Sequence, residues 1–125
     1  IGARSIDPPE WGVVERAGAH LHTAQEVRAR GLGVVLAELL PALKGKRVHI
    51  SFDVDVLDPS EFTATGYNIP EGLSVAEVER ILSAVLDTGR TCSFECVEYN
   101  PTMDPDQRDL STLMGILRTV AEKLN

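Results

Sequence analysis

The chain lacks the features that mark several large classes of protein. Its 125 residues contain no apolar run near the ~20 residues that a membrane-spanning helix needs, and no signal peptide is visible. Basic residues are not in excess: 19 Asp and Glu against 12 Lys and Arg give a net charge of −7, which disfavours nucleic acid and anionic membranes as partners. Repeats and low-complexity tracts are also absent. What remains is an ordinary globular domain whose acids could surround cations.

Cysteine is scarce as well. Cys92 and Cys96 are the only two, and both fall in an apolar run that reads as a strand. At this spacing they lie on one face, too far apart for an unstrained disulfide, and zinc sites need more ligands with turn-like spacing. We therefore expect reduced thiols in the core of a cytoplasmic protein.

Short apolar runs alternate with longer amphipathic ones about four times. Strands are predicted at residues 1–5, 19–22, 47–52 and 91–97, and helices are predicted to begin at the caps Asp7, Thr23, Ser74 and Asp104. This alternation predicts an α/β domain with a mostly parallel sheet. The long segment 54–73 has no period and is rich in Pro, Gly, Thr and Asp, so it is predicted to be a functional loop.

Acidic residues follow the predicted strands, at the sheet edge where ligands of such domains bind. Asp53 and Asp55 are separated by one residue, so their carboxylates project to the same side. The pair would repel unless it were protonated or held a hard divalent cation. The competing interpretation is a pair of solvated acids that cap a turn, which is the better explanation for Asp58 before Pro59.

Four motifs together resemble one family. The run HISFDVDVLDPS, then ATG, then an apolar helix and VEYNP, resembles the C-terminal half of the arginase-type ureohydrolases. The opening IGARSIDPPE is similar to the family segment IG-x-R-D-x-D-P-x-E. The resemblance covers nearly the whole chain. It implies a three-layer α/β/α fold with a mostly parallel sheet, of which residues 1–125 would be the C-terminal part of a single domain.

The resemblance also implies a chemistry, the hydrolysis of guanidino compounds by two manganese ions with release of urea. Asp53 would bridge the two ions and Asp55 would ligate one of them. The catalytic residues would be Asp55 and Glu98, and Glu98 would also hold the substrate guanidinium. The family's histidine-bearing GGDH and DAHxD motifs are absent. Because the chain also begins without methionine, we expect it to be a segment of a longer protein, inactive alone.

Three further residues match substrate contacts of the family. Asp7 and Glu10 match acids that reach the substrate α-amino group, although a helix-capping box would explain both. Thr65 matches a threonine beside the guanidinium, or else only shapes its loop. Two departures bear on the pocket: Ser5 stands where an acid is common, and Tyr67 to Gly72 replace the usual Thr-Pro and paired glycines. His20 and His22 fall outside the family's motifs, and both of them, like His49 beside the aspartate pair, are expected to be structural.

Arginine is the substrate that these acids favour, and the products would be ornithine and urea. Agmatinase or another ureohydrolase is the close alternative. A catalytically dead assembly or regulatory subunit is a second alternative. The haloacid-dehalogenase phosphatases share a strand that ends in FDVD, but their motif continues Gly-Thr where this chain has Val56-Leu57. By analogy with the family, a cytoplasmic homo-trimer or hexamer is expected.

Overall fold

The computed structural model describes residues 1–124. Within them the helices are α1 Pro8–Ala17, α2 Ala24–Arg30, α3 Leu32–Ala42, α4 Val75–Leu86 and α5 Arg108–Lys123, and the strands are β1 Val48–Asp53 and β2 Thr91–Val97. Short 3-10 turns cover Val54–Val56 and Pro101–Met103. None of the helices in this part of the chain has both the length and the apolar character required to cross a membrane.

The two strands pair in parallel, as predicted. Asp53, the last residue of β1, lies opposite Val97, the last residue of β2. Parallel strands bring their carboxyl ends to one edge of the sheet, and α4 provides the connection that such a pair requires. The residues that follow both strands therefore meet at the same edge.

The prediction of strands at residues 1–5 and 19–22 is wrong. The two segments form only one parallel bridge, between Ala3 and Thr23, with hydrogen bonds from Gly2 N to His22 O (2.7 Å) and from Ala24 N to Ala3 O (3.1 Å). Gly2 has a φ of +88°, which ends the extended backbone on one side, and Thr23 already caps α2 on the other.

Helix caps were predicted more reliably. Thr23 Oγ1 accepts a hydrogen bond from Glu26 N at 3.0 Å, and Ser74 forms a reciprocal capping box with Glu77. The prediction for Asp104 is half right, because α5 begins later, after Gln107 with a left-handed φ of +59°. The Asp104 carboxylate still accepts from the backbone of the first helical turn, at 2.7 Å from Leu110 N.

One face of β1 packs into the core and the other does not. Phe52 is buried and Ile50 packs against the core, whereas His49 and Ser51 are exposed. This is the alternation predicted for residues 47–52. The main core lies between this face and the helices, and its largest fully buried side chains are Val27, Val35, Val54, Phe62, Leu73 and Ile116.

Both cysteines are free, as predicted, but only one packs against the core. Cys96 is half-buried there, while Cys92 is exposed. Val48 pairs with Thr91 and His49 with Ser93, so Cys92 is the extra, unpaired residue of a bulge. A bulge interrupts the alternation of side chains along a strand, and this explains why the prediction of a core thiol is wrong for Cys92.

Candidate metal and substrate site

The aspartate pair lies at the end of β1, where Asp53 is the last residue of the strand and Asp55 belongs to the 3-10 turn that follows. The buried residue between the two acids sets their direction. Val54 is completely buried, so the side chains on either side of it turn toward the sheet edge. Asp53 Oδ1 accepts a hydrogen bond from Asp55 N at 2.9 Å, which closes the 3-10 turn Val54–Val56. Turn capping and a shared direction for both carboxylates therefore occur together.

Thr65 reaches the pair from the long loop. Its side chain is 2 % exposed, and its hydroxyl donates to Asp55 Oδ1. The loop is held at this point by an antiparallel bridge between Thr65 and Tyr99, with Asn100 N donating to Ala64 O at 2.8 Å. Thr65 thus both shapes its loop and contacts the aspartate pair.

Glu98 is the first residue after β2, next to Val97, which lies opposite Asp53. It is exposed and has a φ of +68°, a left-handed conformation that a residue with a side chain rarely adopts. Burial, then the charge of Asp53 and then that of Glu98 raise the pKa of the Asp55 carboxyl above its ordinary value, and the charge of Arg4 opposes them. Three carboxylates therefore crowd one edge of the sheet.

The donor set of this cluster fits a hard divalent cation. Oxygen ligands from closely spaced carboxylates suit Mg²⁺, Mn²⁺ or Ca²⁺, and a cation between them would remove the repulsion that raises the pKa of Asp55. Asp53 and Asp55 supply two carboxylates, which is fewer than two ions require. A cleft of about 290 Å³ adjoins them, and its lining includes Arg4, Tyr67 and Ile69.

Asp7 and Glu10 lie at the start of α1. Asp7 N donates to Glu10 Oε2 at 2.7 Å, so the predicted capping box is present. Both residues are exposed, and across residues 1–124 no hydrogen bond links them to Asp53, Asp55, Thr65 or Glu98. Capping accounts for their residue types, and their contact with a substrate remains a prediction.

Asp109, at the start of α5, is a supporting residue that sequence reasoning missed. Its carboxylate accepts from Thr63 N at 2.7 Å and from Ala64 N at 2.8 Å, which anchors the loop just before Thr65. In the sequence it looks like an ordinary acid in a first helical turn. Asp58 is a turn residue as predicted, since its Oδ1 accepts from Ser60 N at 3.0 Å.

The histidines are all placed outside this cluster. His20 is exposed, and His49 lies on the exposed face of the sheet with Nδ1 2.8 Å from Ser93 Oγ. His22 is buried with its Nδ1 3.3 Å from Glu26 Oε1. Glu26 and Glu38 both pair with Arg30, whose guanidinium already offsets part of their negative charge.

Parallel strands between helices, with acids at the carboxyl ends, define an α/β protein with a candidate metal and ligand site at the strand ends. The model of the Arginase family matches residues 1–122. The chain belongs to the arginase family.

Named relatives agree with this assignment. Arginase-1 of Oryctolagus cuniculus is 39% identical over 106 residues, which are 82% of this chain and 33% of the relative. The crystal structure of arginase from Bacillus subtilis superposes with a TM-score of 0.88 at 30% identity, over 95% of this chain and 43% of that one. An Entamoeba histolytica arginase in complex with L-ornithine gives a TM-score of 0.86 at 25% identity, over 95% and 41%. The chain has an arginase-like α/β fold and spans about a third of the length of the rabbit relative.

Proposed function

We propose that the whole protein is a manganese-dependent arginase, which hydrolyses the guanidino group of arginine to ornithine and urea. The observation that carries the proposal is the meeting of Asp53, Asp55, Thr65 and Glu98 at the carboxyl ends of two parallel strands. These four residues occupy the positions that the family resemblance assigns to metal and guanidinium contacts. Family membership supports the same reading.

The proposal includes the organisation of the domain, with residues 1–125 as the C-terminal part of a single arginase-like domain. One reason is the share of the relatives that the chain covers. Another is an apolar cleft of about 300 Å³ along β1, which would be costly to leave in water. Its apolar lining includes Leu39, Leu43, Val48, Ile50, Phe52, Ile81 and Val85. We propose that the remainder of the domain covers this cleft and contributes the histidine ligands.

Asp53 and Asp55 would hold the manganese ions, with Asp53 shared between them. Asp53 keeps one oxygen on Asp55 N and has a second for a cation, while Thr65 fixes one oxygen of Asp55. When bound, the two ions would lower the pKa of a shared water toward neutrality and so supply a hydroxide. Asp55 would then accept and pass on a proton at its carboxylate, toward the departing amine.

Glu98 would hold the substrate. A carboxylate accepts two N–H groups of a guanidinium in a charge-assisted, bidentate pair, which both binds the planar group and orients its carbon. The left-handed backbone at Glu98 is consistent with a functional constraint, because strain of this kind collects at active sites. Thr65 lies beside this position and would contact the same end of the substrate.

Asp7 and Glu10 would recognise the α-amino end of arginine. Both are exposed carboxylates on the segment that follows Arg4 and Ser5 at the cleft, and a cationic amino group would complement them. The ornithine complex of the Entamoeba relative supports an amino-acid ligand. The proposal also includes a cytoplasmic location, which the free thiols of Cys92 and Cys96 support. It includes a homo-trimer or hexamer by analogy with the family.

The test uses the full-length protein and measures urea release from arginine and from agmatine, with and without Mn²⁺. We expect manganese-dependent turnover of arginine that Asp53→Ala abolishes, while Asp106→Ala, which removes an exposed acid outside the cluster, has no effect. Full activity of Asp53→Ala would contradict the metal assignment. Preference for agmatine would correct the substrate, and a folded wild-type protein that neither binds manganese nor releases urea would identify a non-catalytic subunit instead.

A further inference from the structure

Arg4 lies between the turn Val54–Val56 and the loop that lines the cleft. The guanidinium donates from Nη2 to the backbone oxygen of Asp55 and from Nη1 to the backbone oxygens of Ile69 and Leu57, the last at 3.4 Å. These partners are 51, 65 and 53 residues away in the sequence. Among residues 1–124, no carboxylate forms a salt bridge with Arg4.

The backbone that carries Arg4 is itself held in place. The bridge between Ala3 and Thr23 fixes it from one side. Gly2 packs so closely on the turn Val54–Val56 that a Cβ atom there would lie 2.3 Å from Val56 Cγ2. Arg4 is therefore attached to a segment that is already fixed against the same turn. Its side chain cannot follow a movement of the loop that lines the cleft without stretching its hydrogen bonds.

Within residues 1–124, Arg4 forms hydrogen bonds with backbone oxygens only, which indicates a geometric role. A guanidinium presents several donors in a rigid planar fork, so it can hold two or three carbonyls at fixed relative positions, which the single flexible ammonium of lysine cannot do. One of these carbonyls is the backbone carbonyl of Asp55, and the side-chain carboxylate of the same residue accepts a hydrogen bond from Thr65. Another belongs to Ile69, in what we call the cleft loop, residues 66–72.

We propose that Arg4 is a positioning residue that couples the orientation of Asp55 to the position of the cleft loop. It fixes the backbone of Asp55 and so the direction in which that carboxylate meets a metal ion, and it holds Ile69 at a set distance from the same point. The part of this inference that concerns metal rests on the proposed function. The mechanical coupling between the turn and the loop does not.

Arg28 provides a matched control. Its Nη1 also donates to backbone oxygens of the cleft loop, to Glu71 at 2.7 Å and to Gly72 at 3.2 Å, but it makes no contact with Asp55. Arg28→Gln removes an arginine of α2 that contacts the same loop, and it leaves the turn Val54–Val56 untouched. A difference between variants at Arg4 and at Arg28 then reports the link to Asp55, since both remove a loop contact.

The first experiment compares Mn²⁺ affinity, kcat and KM in the full-length protein and its variants Arg4→Lys, Arg4→Gln and Arg28→Gln. Loss of a residue that orients a metal ligand weakens metal binding by about tenfold to hundredfold, so we expect this loss in both Arg4 variants, with a lower kcat. We expect Mn²⁺ affinity within about twofold of wild type for Arg28→Gln, with any effect confined to KM. Restoration of Mn²⁺ affinity by Arg4→Lys would overturn the proposal, because charge alone would then suffice.

The second experiment needs neither metal nor activity. Hydrogen exchange in the metal-free protein follows the amides of residues 54–58 and of residues 66–73. Arg4→Gln should speed exchange in both segments by about fivefold, because one contact restrains both, whereas Arg28→Gln should affect the second segment only. Unchanged exchange at residues 54–58 in a folded Arg4 variant would overturn the coupling, and Arg4→Lys decides the question if Arg4→Gln does not fold.

The two experiments keep the failures of the two proposals apart. If the wild-type protein releases no urea from any guanidino substrate, the proposed function fails, and the exchange measurement still decides whether Arg4 couples the turn to the loop. If the wild-type protein is active but exchange in the two segments responds independently to Arg4→Gln, the positioning role fails and the proposed function stands.

Discussion

Glu98 offers a prediction in which stability and activity should move in opposite directions. Its φ of +68° is a left-handed conformation, which costs a residue with a Cβ atom about 1–2 kcal/mol. Glu98→Gly removes that cost, but the greater conformational freedom of glycine in the unfolded chain offsets about 0.5–1 kcal/mol of the gain in stability. Since the residue is exposed and no packing is lost, we expect a net stabilisation of about 0.5–1 kcal/mol.

The same substitution should remove the proposed grip on the guanidinium. Hydrogen bonds to charged groups contribute about 1.5–3 kcal/mol each, so the loss of a bidentate pair should lower kcat/KM by at least about a hundredfold. Glu98→Gln separates the two effects. It keeps a side chain and therefore the backbone strain, so it should lose activity without the part of the stability gain that comes from relief of that strain.

The assay is thermal unfolding of the metal-free, full-length protein beside urea release from arginine. The midpoint should rise by about 1–3 °C for Glu98→Gly. Gln107→Gly is the matched control, because Gln107 has a φ of +59° at the start of α5, away from the cleft. It should gain stability and keep full activity. A lower midpoint for Glu98→Gly, or activity near that of the wild type, would refute the reasoning.

Three further predictions concern the residues around this site. Thr65→Val should lower both the stability and the Mn²⁺ affinity, because the hydroxyl that donates to Asp55 is lost. Thr65→Ser keeps a hydroxyl and should retain most of both. Thermal unfolding and metal titration measure the difference. Gly72→Ala should destabilise the fold by about 1–3 kcal/mol, since the added Cβ would lie 2.5 Å from the backbone of residues 57–58. Gly115→Ala, in α5 where nothing lies near the added Cβ, should stabilise the fold by about 0.5–1 kcal/mol. Equal free energies of unfolding for the two variants would contradict the packing at Gly72. Burial would raise the pKa of the Asp104 carboxyl, but hydrogen bonds from backbone N–H groups and from a hydroxyl outweigh it and hold this pKa below the ordinary value of 3.8. The unfolded state therefore takes up the proton first, and the free energy of unfolding should fall as the pH drops below about 4. Asp104→Asn should flatten this part of a stability–pH curve.

How far the fold could be predicted depended on the range of the interactions involved. The helix starts at Asp7, Thr23 and Ser74 follow from contacts three residues apart, and all three predictions hold. The strand predicted at residues 1–5 failed because its existence depends on a partner about 20 residues away. That partner pairs at a single position, between Gly2 on one side and the start of α2 on the other.

The candidate site divides in the same way. Asp53, Asp55 and Glu98 could be predicted together, since each lies at or just after the end of a strand and parallel strands end at a common edge. Asp109 was missed because its bonds reach 45 and 46 residues back along the chain, to Ala64 and Thr63. Nothing in its local sequence distinguishes it from a helix-capping acid.

The sequence by itself determined the class of the fold, the starts of three helices and the strand-end acids, because those depend on period, capping chemistry and residue type. Only the tertiary structure decided which distant groups meet. The hydroxyl of Thr65 on Asp55, the guanidinium of Arg4 on three carbonyls and the left-handed backbone of Glu98 all depend on it. Contacts across tens of residues leave no local pattern, since many side chains of the same type could satisfy them, and packing selects the one that lies within reach.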